Sequence, residues 1–327
     1  MIKLVVDMMG GDLGSKETTK GVLNFLKKHD DVIFYCVGKQ EELKELNDNK
    51  NIVVVNANEV LPMETSAMDA LRAKSTSMYV AIEEVTKEQA DAIVSCGSTA
   101  GYLSLSTLKL KRIKGIIRPA FVAPFPTKIK GKQVVILDIG ASTVNTSDEL
   151  VQFALMGQLY SETVLDNKNP NVYLLSNGTE EGKGTDAVKE AHQKLKEVNP
   201  HFKGNIEGRD VLYGEADVVV CDGYSGNILL KTAEGVAKLM SGMIKSAFKR
   251  SLASKLGYLL SKKGFDEMSK TMDYKSTGGA MLLGVNNVVV KAHGNSDAYS
   301  FECALDVAYK LSKNQLVNKI KEGLNNV

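Results

Sequence analysis

Tryptophan is absent from the 327 residues, and aromatic residues make up only 6%. That leaves little material for a surface that stacks nucleic-acid bases. The net charge is only +2, so no whole-molecule field favours a polyanion, and nucleic acid is not an expected partner. Cysteine is sparse: Cys36, Cys96, Cys221 and Cys303 are scattered, with no C-x-x-C pair. This spacing offers no zinc site or redox dithiol and suits a reducing cytosol. No apolar run approaches the 18 residues that span a bilayer. The opening MIKLVVDMMGGD lacks the basic start, long apolar stretch and small-residue cleavage site of a signal peptide. A cytoplasmic protein is expected, at most resting on a membrane surface. Neither a metal nor a redox cofactor is expected.

What is present is a rhythm. Short β-branched runs occur at 3–7, 32–38, 51–56, 90–97, 133–140, 171–177, 216–223 and 287–294, most followed by a helix-like stretch such as 148–165. Several are apolar throughout, as strands covered on both faces must be. The alternation predicts an α/β fold with a three-layer, mostly parallel sheet. Between about Thr232 and about Tyr274 only helical periodicity remains, so a protruding helical hairpin broken near Gly257 or Gly264 is expected. With no Pro- or Ser-rich linker and no internal repeat, 1–327 reads as one domain carrying the 232–274 excursion.

In open parallel sheets ligands bind beyond the carboxyl ends of the strands. Here those ends are rich in glycine and small polar residues, at 7–12, 95–101, 138–142, 177–184, 222–227 and 292–297. Glycine lets backbone approach a ligand, and helix N-termini offer N–H donors to an anion. Six such turns pointing the same way predict a phosphate-sized anion site. Familiar motifs fail their spacing tests. Gly10–Lys16 has the Ser and Lys of a P-loop in the wrong order, and Gly178–Gly184 is one residue short. The G-x-G-x-x-A match at Gly182–Ala187, with Glu207 in the ribose-contact region, starts about five residues too late after its strand. Neither Ser-containing turn has nucleophile-elbow spacing. Cys96 ends a strand, but no histidine is a sequence-level partner for a thiolate. The expected chemistry uses no metal, no redox cofactor and no protein nucleophile.

These features occur in an order that resembles one family. They are V-V-D-M-M-G-G-D at 5–12, A-D-A-I-V-S-C-G-S-T-A-G at 90–101, L-K-R-I-K-G-I-I-R-P-A at 110–120 and L-V-Q-F-A-L-M-G at 150–157. G-N-I-E-G-R-D at 204–210, A-D-V-V-V-C-D-G-Y-S-G-N at 216–227 and G-G-A-M-L-L-G-V-N at 278–286 complete the set. Over essentially its whole length the chain resembles the PlsX-type phosphate acyltransferases, whose fold is similar to that of phosphate acetyltransferases and isocitrate-dehydrogenase-like enzymes. Three departures stand out. Met8 replaces an alanine, and Ser98 and Ser142 each replace an amide of the family pattern.

The resemblance implies transfer of a fatty acyl group from acyl carrier protein or acyl-CoA to inorganic phosphate, in a homodimer with peripheral membrane association. It places Lys183 and Asp222 in motifs facing the site. Lys183 would neutralise phosphate and the developing oxyanion; Asp222 would orient that lysine or accept a proton. Their alternatives are a solvated loop lysine and a helix cap. Asp7, Gly10, Gly11, Asp12, Ser98, Thr99, Asn177, Asn227, Gly279 and His293 are expected substrate contacts or loop stabilisers. Lys111, Arg112, Lys114 and Arg118, with Lys249 and Arg250 on the excursion, form candidate landing surfaces for an acidic carrier protein. Leu252, Leu256, Leu259 and Leu260 share one helical stripe, read either as a monotopic membrane anchor or as a dimer or core contact. The rival functions are a short-chain phosphate acyltransferase, a nicotinamide dehydrogenase and a non-catalytic lipid-binding protein.

Overall fold

The computed structural model describes residues 1–271 and 278–324, without the side chains of Leu252 and of 266–271. The first half alternates strands and helices: β1 (Ile2–Asp7), α1 (Gly14–Leu26), β2 (Val32–Gly38), β3 (Ile52–Asn56), α2 (Ala67–Arg72), α3 (Ser77–Lys87), β4 (Ala92–Ser95) and α4 (Thr99–Leu105). There follow β5 (Ala120–Pro126), β6 (Gln133–Leu137), α5 (Ser147–Val164), β7 (Val172–Ser176), α6 (Asp186–Val198), β8 (Phe202–Glu207) and β9 (Val218–Val220). The chain closes with α7 (Gly223–Lys249), α8 (Leu252–Thr271), β10 (Ala280–Leu283), β11 (Val288–Lys291), α9 (Ala298–Lys313) and α10 (Leu316–Leu324).

The eleven strands among the described residues form one sheet in the order β3-β2-β1-β4-β11-β10-β5-β6-β9-β7-β8. Side chains alternate across it: Leu4 and Val6 join one core with Phe25, Phe153 and Phe301, while Val5 joins the other with Ile82 and Tyr102. Two buried faces explain why the strands read as unbroken apolar runs, and the three-layer expectation holds.

Three strands escaped the sequence reading. β5 carries Pro124 and Pro126, which cannot donate to a ladder. They are tolerated because pairing with β10 stops at Val122, leaving the later residues paired with β6 alone. β8 is a polar edge strand containing Gly204, and β10 is only four residues long.

β10 and β5 also reverse the sheet. β10 is antiparallel to both β11 and β5, and β5 is antiparallel to β6. The set β3-β2-β1-β4-β11 therefore runs one way and β6-β9-β7-β8 the other. The six glycine-rich turns do not all leave the same edge, as strand–helix alternation alone implied; they leave in two groups of three.

The hairpin exists, with its break at Arg250–Ser251 rather than at Gly257 or Gly264. Ser251 accepts the Ser254 N–H at 3.0 Å and starts a new helix. Glycine inside a helix costs only about 1 kcal/mol relative to alanine, so it need not end one. Phe248 packs on Tyr258 and Phe265 across the turn.

Candidate active site

The first group of turns gathers at the carboxyl ends of β1, β4 and β11. Asp7 is buried at the centre. Ser77, at the start of α3, donates to it at 2.6 Å and Ser95, at the end of β4, at 2.7 Å. Burial raises the Asp7 pKa, and the two serine hydroxyls oppose that shift. Its oxygens are thus spent on knitting three elements together, which fits the loop-stabilising alternative. Gly10 and Gly11 serve close packing. A Cβ on Gly10 would lie 2.7 Å from Asp7 Oδ2, and one on Gly11 would lie 2.7 Å from the Gly294 carbonyl. The Asp12 N–H donates to that carbonyl at 2.7 Å, while its carboxylate is exposed. Ser98 is buried and caps α4 by accepting the Gly101 N–H at 3.3 Å; Thr99 beside it is exposed. His293 is half-buried in the turn after β11, and Gly279 backs directly onto the Lys291 carbonyl.

Lys291, which sequence reasoning missed, lies in the middle of these residues. It is 8% exposed and is the only buried lysine or arginine among the described residues. Its ammonium donates to the carbonyls of Cys96 at 3.3 Å and Ala292 at 2.5 Å. The one signal was a lone charge closing the apolar run V-V-V-K before a glycine-rich turn. Burial lowers its pKa; Cys96, Asp7 and Asp12 oppose this, and repulsion from Lys231 adds to it. Burial pushes the Cys96 thiol up to about 12, so it is no thiolate nucleophile near neutral pH.

The second group lies at the carboxyl ends of β6, β9 and β7. Asp138 organises it, accepting from the N–H groups of Phe121, Gly140, Ala141 and Ser142 at 2.9–3.0 Å and from the Ser142 hydroxyl at 2.7 Å. Asp222 caps α7, accepting the Ser225 N–H at 2.8 Å and its hydroxyl at 2.7 Å. It makes no ion pair with Lys183 among the described residues, so the lysine-orienting role is not what this geometry provides. Asn177 folds its own loop by accepting the Gly184 N–H at 2.9 Å. Asn227 is exposed beside the Gly140 turn. Lys183 is exposed, its stem packed over Gly178. Nearby on α6, Lys189, Lys194 and Lys196 pair with Asp186, Asp148 and Glu181. Lys183 has no such partner among the described residues.

Sheet twist turns the two groups toward a common direction. Six strand-to-strand steps separate β1 from β9. At roughly 20–25° per step these rotate the strand direction by about 120–150°. Carboxyl ends that a flat sheet would point 180° apart then diverge by only about 30–60°. Lys231, in the third turn of α7, is a second-group residue whose charge acts on Lys291.

The remaining expected residues lie elsewhere. Arg112 donates to the carbonyls of Ile116 and Ile117, and Arg118 to the Val144 carbonyl and Glu149, so both hold loops. Lys111 and Lys114 are exposed near the amino end of β11. Lys249 and Arg250 are exposed at the far end of α7, about 40 Å along the helix from its start. Leu256, Leu259 and Leu260 are exposed just past the hairpin turn, which removes the core reading within one chain; the Leu252 side chain is outside the described residues. A groove of about 850 Å³ lined by Val151, Leu155, Leu195, Val198 and Leu324 opens by the amino end of β8, away from both groups of turns.

A family described as "fatty acid synthesis protein" matches residues 2–319. A phosphate acyltransferase of Thermosipho africanus is 43% identical over 325 residues, covering 99% of this chain and 98% of that protein. The chain belongs to that family. A Campylobacter lari phosphate acyltransferase is 40% identical, covering 100% of this chain and 99% of its own length. Among solved structures, a branched-chain phosphotransacylase from Enterococcus faecalis superposes with a TM-score of 0.60 at 14% identity, covering 95% of this chain and 99% of its own. A phosphotransacetylase from Streptococcus pyogenes gives 0.58 at 19% identity, covering 99% and 94%. The family resemblance read from the motifs and the α/β fold it implied both hold; at these identities the solved structures speak to fold alone.

Proposed function

We propose that this enzyme transfers a long-chain fatty acyl group from acyl carrier protein, or from acyl-CoA, to inorganic phosphate. The product is an acyl phosphate for phospholipid synthesis. Family membership over the full chain supports the reaction. The observation that carries the site is Lys183, a cation without a carboxylate partner among the described residues, on a glycine-rich strand-end loop beside paired neighbours.

In the reaction a phosphate oxygen attacks the thioester carbonyl carbon. The carbonyl becomes a tetrahedral oxyanion, the C–S bond breaks, and the thiolate leaves and takes up a proton. A thiol pKa of about 8.5 makes this a good leaving group, so acid assistance is a minor need. Lys183 stabilises the oxyanion electrostatically. Asp222 holds the first turn of α7, and with it Asn227, beside the Gly140 turn. Holding both substrates together supplies much of the remaining acceleration.

The hairpin supports the assembly reading. Val236, Leu239, Met240 and Met243 form an exposed stripe at i, i+3, i+4 and i+7 along α7, the pattern of a helix packed on a second copy. Leu256, Leu259 and Leu260 beside Lys249, Arg250 and Lys255 make the tip a peripheral membrane contact. No described helix is long and apolar enough to cross a membrane. Lys111 and Lys114 remain the sheet-side cations open to an acidic carrier protein.

Incubation with palmitoyl-carrier protein and radiolabelled orthophosphate, followed by hydroxylamine trapping, tests the reaction. Labelled acyl phosphate should form, with kcat falling about 10²–10³-fold in Lys183→Ala, the loss typical of one oxyanion donor. Product from acetyl-CoA but not from long-chain donors would sink the long-chain assignment.

A further inference from the structure

Lys183 accounts for an oxyanion but leaves unused the one buried cation of the other group of turns. An ammonium has three donors. Lys291 spends two on the Cys96 and Ala292 carbonyls and makes no ion pair among the described residues. Asp7, a buried acid whose charge acts on Lys291, spends its hydrogen bonds on Ser77 and Ser95. A buried ammonium with one donor unspent and no described carboxylate in contact with it is stabilised by a bound anion.

A second group in the same turn is also unsatisfied. Ser296 is buried and its hydroxyl has no nitrogen or oxygen partner among the described residues; it meets the Cys96 thiol. Lys291 and Ser296 thus flank the same residue, Cys96, one through its carbonyl and one through its thiol. Thr19, Ser106 and Ser161 also bury hydroxyls without partners among the described residues, but of these only Ser296 lies in the turn that follows Lys291. An unspent ammonium donor and an unsatisfied hydroxyl five residues apart point to a missing acceptor. The backbone around them is drawn in tightly. A Cβ on Gly279 would sit 2.2 Å from the Lys291 carbonyl, and one on Gly97 would sit 2.5 Å from Met78.

We propose that Lys291 and Ser296 bind the inorganic phosphate acceptor, a role resting on the acyl-transfer reading above. A small tetrahedral oxyanion matches one ammonium and one hydroxyl.

The test measures binding of inorganic phosphate alone to the full chain by calorimetry, together with steady-state kinetics. Lys291→Met should weaken phosphate binding and raise the phosphate KM about 10–100-fold, while the acyl-donor KM stays unchanged. Ser296→Ala removes an unsatisfied hydroxyl, so in phosphate-free buffer it should melt at the same temperature or higher. It should nevertheless bind phosphate about 3–10-fold more weakly. This second variant carries the test where the first fails to fold. Unaltered phosphate affinity in Ser296→Ala, or in folded Lys291→Met, overturns the assignment. So does binding of CoA alone that depends on Lys291 when phosphate binding does not. Phosphate binding that needs Lys291 in a protein making no acyl phosphate would overturn the reaction and leave this site standing; acyl phosphate made with an unchanged phosphate KM would do the reverse.

Discussion

Gly226 and Gly242 belong to the same helix and meet opposite surroundings. A Cβ on Gly226 would lie 1.9 Å from the Asp138 carbonyl, and one on Gly223 would lie 2.1 Å from the Ser142 carbonyl. Around Gly235 and Gly242 nothing described comes within 4 Å. The first turn of α7 is therefore part of the sheet-edge machinery. The Asp138 loop, with Ser142 and Asn145, closes against it, and its glycines exist so that backbone can touch backbone. Farther along, the helix leaves the body and exposes Leu239, Met240 and Met243 instead of burying them. Residue type alone does not separate the two roles; what surrounds the glycine does.

That contrast can be broken at several points. The largest effect is expected from Gly226→Ala, which drives a methyl into the Asp138 backbone and should lower stability by about 3 kcal/mol in denaturant unfolding. A well-folded Gly226→Ala would show that the Asp138 loop yields.

Asp7→Asn should follow at about 2 kcal/mol, because a carboxylate held by two serines loses acceptor capacity. The sign of its pH dependence is set by burial, which raises the Asp7 pKa. The folded state then holds the proton longer than the unfolded state. The Asp7 contribution to stability is full below the ordinary carboxylate value and falls as pH rises through the raised one. The penalty of Asp7→Asn should accordingly shrink between pH 4 and pH 7. A penalty that grows over that range would contradict the burial argument.

Gly242→Ala probes the bare end. In an isolated helix it should stabilise by about 1 kcal/mol. If instead it weakens self-association by ultracentrifugation, a second copy packs on that face. The smallest effect on stability, within about 0.5 kcal/mol, is expected from Leu256→Asp with Leu260→Asp at the tip. This pair should abolish sedimentation with anionic vesicles and leave activity on soluble donors. A variant that unfolds or turns monomeric would make the stripe structural.

Much of this architecture was legible in the residues themselves. Unbroken apolar runs such as K-L-V-V-D and N-V-V-V-K mark strands buried on both faces, because no other short element hides both sides of itself. The helical stretch read over 148–165 is α5, which the structure starts at Ser147 behind a Thr146–Glu149 capping box that the sequence reading did not pick out. The motif order carried the family. Harder to read was anything set by who pairs with whom. The prolines of β5 argue against a strand unless its neighbour is known to stop at Val122, and β10 is too short to show a period. Because those two strands reverse the sheet, six turns alike in sequence became two groups of three. Lys291 escaped for a related reason. A lysine after three valines looks like the end of a strand, and only the packing of Asp7, Cys96 and the glycine turns around it reveals a buried charge. Local preference and burial pattern are properties of a segment and can be read along the chain. Strand direction, and the isolation of a charge from water, arise only when distant segments are brought together.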